Sequence, residues 1–157
     1  MNIKLIVVSK TDVPYLQTGI DEYIGRLKHY CDFELVVIPA LKNGGRMSPE
    51  EVKSKEGELI LGNLVPSDMV ILLDEHGKEH SSVEFARQIE SWTASSGKNI
   101  VFVIGGAYGF SDAVYSRSNG KLSLSRMTFS HQMVRAIFAE QLYRAFTIIK
   151  GQPYHHE

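Results

Sequence analysis

The sequence predicts an α/β fold: a three-layer sandwich with a parallel sheet between two layers of helices. Three observations carry this. Short apolar runs rich in β-branched residues recur along the chain, segments of helical periodicity separate them, and the runs lack the in–out alternation of a sheet with one wet face. The length, 157 residues, suits one domain covering 1–157. With 43% hydrophobic and 22% charged residues the composition excludes a disordered chain. The single cysteine, Cys31, excludes a disulfide scaffold, and no apolar run approaches the roughly 20 residues of a membrane helix. The first ten residues read as a strand and a polar turn rather than a secretory signal, so a cytoplasmic, reducing setting is expected.

The elements follow in order. Residues 3–8 form a short apolar run and predict a buried strand. Residues 12–30 place Val13, Leu16, Ile20, Tyr23, Ile24 and Leu27 at helical spacing. A second strand, 33–38, closes at Pro39, and a polar loop with Asn43, Gly44 and Gly45 follows. Ser48, Pro49 and Glu51 make a capping box with proline in the first turn, opening a helix to about residue 64. The third strand, 69–73, ends at Asp74. Ser81 and Glu84 form another capping box, for a helix to about Trp92. The fourth strand, 100–104, runs straight into Gly105, Gly106 and Gly109. A short helix at 112–117, a weak strand at 121–124, a loop at 125–130 and a long apolar-faced helix at 131–150 complete the chain.

In such sheets ligands sit beyond the C-terminal ends of the strands, which directs attention to 73–77, 105–110 and 125–131. Glycines at 105, 106 and 109 let backbone approach a ligand, or simply make a tight turn. The loop Ser125, Arg126, Met127, Thr128 and Phe129 mixes hydroxyls, a thioether and a ring suited to wrapping a flat heterocycle; a helix N-cap at Thr128 or Ser130 is the simpler alternative. His131 and Arg135, four apart, share a helix face and can meet a phosphate together, whereas Glu140 and Arg144 have the spacing of an ordinary ion pair. Tyr154, His155 and His156 near the terminus can stack on a base and contact phosphate, or form a frayed tail.

His76 and His80 have i,i+4 spacing, but Gly77 and the turn between them argue against a helical ligand pair, so no metal is expected. Cys31 reads as a small buried side chain rather than a nucleophile. The formal net charge of -1 conceals an asymmetry. From Arg117 onward, six Lys and Arg stand against Glu140 and Glu157, a balance of +4, while the preceding 116 residues carry 11 bases and 16 acids, a balance of -5. An anionic partner for the C-terminal part is one implication, uneven scatter of charge the other.

Four segments, 3–8, 101–109, 122–135 and 140–145 with Pro153, Tyr154 and His155, resemble the bacterial SPOUT-superfamily methyltransferases that act on pseudouridine in large-subunit ribosomal RNA. The resemblance spans essentially the whole length. It implies a C-terminal trefoil knot, which topology rules alone would never predict. It implies S-adenosyl-L-methionine as cofactor, held by Leu73, Gly105, Gly106, Leu124, Ser125, Arg126, Met127, Thr128 and Phe129. It implies a homodimer acting on 23S rRNA in the assembled 70S ribosome, with methyl transferred to N3 of a pseudouridine in the decoding-region stem-loop. His131, Tyr154 and His155 would then be catalytic, and Arg135, Arg144 and His156 would hold RNA. The chain departs from the family pattern at Ser130, where proline is common, and at His156, where a fixed positive charge is common.

A non-catalytic ribosome-binding module of the same fold is the alternative. A nucleotide-dependent oxidoreductase is a third reading, weakened by the absence of a glycine fingerprint after the first strand.

Overall fold

The computed structural model describes residues 2–96 and 99–156; Glu157, counted above in the terminal segment, lies outside them. Strands and helices alternate: β1 (Asn2–Val8), α1 (Pro14–Leu27), β2 (Asp32–Ile38), α2 (Pro49–Gly62), β3 (Met69–Glu79), α3 (Ser82–Ser96), β4 (Ile100–Ile104), α4 (Asp112–Arg117), β5 (Gly120–Ser123) and α5 (Met133–Ile149). The strands form one sheet in the order β2-β1-β4-β3-β5, and every pairing is parallel. This is the expected α/β sheet.

Apolar residues alternate between two cores, which is why the strands are apolar at nearly every position. Ile3, Leu5, Ile71, Phe102 and Leu122 pack with Phe85, Ile89, Phe138 and Leu142 on the face that carries α1, α3 and α5. Ile6, Val70, Leu72, Val101 and Val103 pack with Ile60 and Val114 on the face that carries α2 and α4. No helix among the described residues is long and apolar enough to cross a membrane.

Local signals position the helices. Ser48 Oγ accepts the Glu51 N–H at 3.2 Å. Ser81 and Glu84 cap reciprocally, at 3.1 and 2.7 Å. The α5 helix begins at Met133 rather than His131, and Ser130 Oγ accepts the Met133 N–H at 3.0 Å, so Ser130 serves the helix start. At its far end Gly151 adopts a positive φ of 67°. The bonds Gly151 N–H to Ile148 C=O (3.1 Å) and Gln152 N–H to Thr147 C=O (2.8 Å) complete a reversal that turns the tail back along the helix.

The third strand departs from expectation. It does not stop at Asp74 but continues to Glu79 through an irregularity between Leu73 and Lys78, because Leu122 and Ser123 of β5 pair with Lys78 and Glu79 beyond it. Pairing with a distant strand, not local propensity, holds these polar residues extended.

Candidate active site

A cavity of about 510 Å³ opens at the C-terminal ends of β3, β4 and β5, walled by 73–76, 104–110, 124–125 and 127–131 with Tyr115, Leu122 and Val134. The ends of three strands converge here because their sheet order places β3 between β4 and β5. Leu73, Gly105, Gly106, Leu124, Ser125, Met127, Thr128, Phe129 and His131 all line it. Arg126 does not: its side chain is exposed, with Nε 3.7 Å from Glu79. Tyr108 and Met127 stand out as exposed apolar groups at the rim, 54% and 78% accessible.

Acidic groups shape the cavity's electrostatics. Asp74 Oδ2 accepts the Tyr115 hydroxyl, and Oδ1 accepts the His76 N–H at 2.8 Å. Burial pushes the Asp74 carboxyl up, but these donors, with the His76 and Lys121 charges, outweigh it and leave the group below its ordinary value. Burial and the Asp74 contact push the Tyr115 hydroxyl up to about 12. Glu75 Oε2 accepts the Thr128 hydroxyl at 2.7 Å, tying two walls of the cavity together. Tyr115 and Glu75 were not singled out in the sequence. Asp74 and Glu75 fall in the 73–77 window, but Tyr115 sits in a short helix that carries no local sign of a pocket.

Arg135 overturns an expectation. Its side chain is 1% exposed and is consumed by the protein's own oxygens. It donates to the carbonyls of Val8 (2.7 Å), Ser9 (2.9 Å) and His131 (2.9 Å) and to the Thr11 hydroxyl (3.0 Å). Burial lowers its pKa, against the opposing Asp12 charge. Ser9 itself takes an unusual positive φ of 66°. A phosphate has no access to such a guanidinium; Arg135 braces the end of β1 against α5 rather than binding RNA.

The tail forms a second cluster. Arg144 donates to Glu140 at 2.5 Å and lies 3.1 Å from His155 Nδ1, with its guanidinium 4.7 Å from the Tyr154 ring centroid. The Tyr154 hydroxyl lies 3.2 Å from Glu140 and 3.3 Å from the Tyr23 hydroxyl. Burial, Tyr23 and Glu140 all push the Tyr154 hydroxyl upward. The tail is therefore fastened, not frayed, and the ion pair of Glu140 and Arg144 is half-buried beside it rather than fully solvated. Tyr154 and His155 do not line the cavity of their own chain. Val134 at the cavity and Arg144 at the tail are about 15 Å apart along α5, at 1.5 Å per residue. His156 is exposed beyond them.

A second depression of about 530 Å³ lies at the opposite, N-terminal ends of the strands, lined by Lys4, Lys28 and Cys31 among others. It is away from the strand ends where such sheets bind ligands. Burial pushes the Cys31 thiol up to about 11, which suits an inert buried thiol. Among the described residues no group of three or more His, Cys, Asp or Glu is arranged to hold a metal ion.

The family model described as "Predicted SPOUT methyltransferase" matches residues 1–155. The chain is 57% identical over all 157 residues, and over the full length of the relative, to ribosomal RNA large subunit methyltransferase H of Flavobacterium psychrophilum. Proteins of the same name from Bacteroides fragilis and Phocaeicola vulgatus are 55% and 54% identical over the same full span.

Proposed function

The chain belongs to the SPOUT methyltransferase family, and from that premise we propose that it methylates large-subunit ribosomal RNA using S-adenosylmethionine. The specific reaction we propose is transfer to N3 of a pseudouridine in the decoding-region stem-loop of 23S rRNA, on the assembled 70S ribosome. The observation that carries this is the cavity at the strand ends, built from the three loops flagged in the sequence, in a chain that aligns end to end with relatives named for ribosomal RNA methylation.

The cavity suits this cofactor. Its volume lies within the roughly 300–1,000 Å³ of small-molecule sites. Leu73, Leu122, Leu124 and Phe129 offer apolar surface for a flat heterocycle, and Asp74 and Glu75 offer negative charge to a cationic ligand. Bound there, S-adenosylmethionine supplies an activated methyl group on sulfur. The chain's residues have the remaining tasks. Leu73, Gly105, Gly106, Leu124, Ser125, Met127, Thr128 and Phe129 hold and orient the ligand and exclude water. The imide N3–H of the substrate is weakly acidic, and His131 at the cavity wall assists removal of its proton. Tyr154 and His155 hold the base, and Arg144 and His156 meet phosphate.

Because the tail lies along α5 away from its own cavity, this reading has a second copy of the chain bring Tyr154 and His155 to it. The same reading makes the protein a homodimer, its 157 residues one cytoplasmic methyltransferase domain, and the segment after β4 a trefoil knot. A small monomer of net charge -1 is poorly equipped to grip naked RNA by charge alone, which favours a preformed ribosomal surface.

Methyl transfer from labelled S-adenosylmethionine to 70S ribosomes, free large subunits and naked 23S rRNA tests the proposal. Label is expected on the 70S particle, in one pseudouridine. Absence of label on all three overturns it in favour of a non-catalytic ribosome-binding protein.

A further inference from the structure

Glu56 lies on α2, the helix whose sequence reads as an ordinary capped surface element. In the fold its carboxyl is pressed against the 105–109 turn. A Cβ built on Gly106 would come within 2.7 Å of Glu56 Oε1 and 2.9 Å of Oε2, so the carboxyl occupies the space that any side chain at 106 would need. Gly106 is itself a wall of the cavity. Glu56 Oε1 is shielded from solvent and has no hydrogen-bond partner among the described residues. Burial alone raises this carboxyl above its ordinary value.

The acidic groups that line the cavity are provided for. Asp74 is met by Tyr115 and His76, and Glu75 by Thr128. An acceptor left unmet in the interior is costly, and buried acceptors are otherwise almost always satisfied. What Glu56 Oε1 lacks is a donor, and a cationic donor makes the stronger bond to a carboxylate.

We propose that Glu56 accepts a hydrogen bond from the α-ammonium group of the cofactor's amino-acid end, at the Gly106 side of the cavity. The sulfonium of S-adenosylmethionine carries charge but no N–H, so it cannot satisfy an orphaned acceptor. The ammonium carries both. A carboxyl turns about its last bond over a broad range, so either oxygen can meet a donor arriving at the turn. With glycine at 106, no side chain stands between the carboxyl and that part of the cavity wall.

The inference rests on S-adenosylmethionine being the cofactor, and its test separates the two claims. Calorimetric affinities are measured for the unaltered protein and Glu56→Gln, each with S-adenosylhomocysteine and with its deamino analogue. In the unaltered protein, removing the amine is expected to weaken binding roughly tenfold or more, the scale of a charge-assisted hydrogen bond. In Glu56→Gln the same removal should cost little, and the thermal midpoint should not fall. Equal losses in both proteins overturn the assignment of Glu56 alone. So does a Glu56→Gln variant that melts earlier and binds both ligands equally poorly, which would mark a structural role. No binding of S-adenosylhomocysteine or S-adenosylmethionine to the unaltered protein overturns the cofactor reading with it.

Discussion

Arg135 and Arg144 stand on one helix and face opposite demands. Near the start of α5, Arg135 is enclosed and spends its donors on carbonyls at the end of β1 and the start of its own helix. Near the other end, Arg144 sits among Glu140, Tyr154 and His155, on a surface where a partner can approach. The family resemblance implies RNA binding for both, although the spacing of Glu140 and Arg144 by itself reads as an ordinary ion pair. Their difference teaches that charge on a helix acquires meaning from what the opposite element offers: carbonyls at a strand end in one case, a returning tail in the other.

The sharpest way to break this comparison is to remove both guanidinium groups in turn. Arg135→Met should lower stability by about 3–5 kcal/mol, read from urea unfolding, because three carbonyls lose their buried donor. A variant that melts normally and loses only RNA methylation would reverse the assignment. Arg144→Ala should cost far less stability, about 1 kcal/mol, yet release the tail and cut methylation of ribosomes at least tenfold. Faster removal of the terminal residues by carboxypeptidase would report the release.

The same contrast of enclosed and open contacts recurs at the cavity. With its folded pKa raised to about 12 from 10.0, the Tyr115 hydroxyl contributes stability that is present below pH 10 and lost as pH rises toward 12. Thermal melts across that window should fall more steeply for the unaltered protein than for Tyr115→Phe. Thr128→Val, which removes an exposed contact to Glu75, should change stability by less than about 1 kcal/mol, measured by the same melts. A larger loss would mean that this contact closes the cavity rather than merely bridging its rim.

Much of the fold was legible in local sequence. Apolar runs marked four strands and a weaker pattern the fifth, and Ser48 and Ser81 marked two helix starts with the side-chain bonds they make. Strand-end windows also brought attention to Leu73, Gly105 and the 125–131 segment, which line one cavity except for Arg126. What escaped was everything that depends on a distant partner. β3 outran its apolar run because β5 lies beside it, and Tyr115 found Asp74 from a different element.

By itself the sequence determined the parallel sheet buried on both faces, its capped helices and, through resemblance, the family. The sheet and the helix starts follow from periodicity and propensity, which act between near neighbours and are written in consecutive residues, and the family from matching segments. Only the tertiary structure decided that Arg135 is a brace, that the tail is fastened to α5, and that Glu56 lies against Gly106 with an unmet oxygen. Burial and hydrogen-bond supply are properties of the space between elements, and no single segment of chain contains both sides of that space.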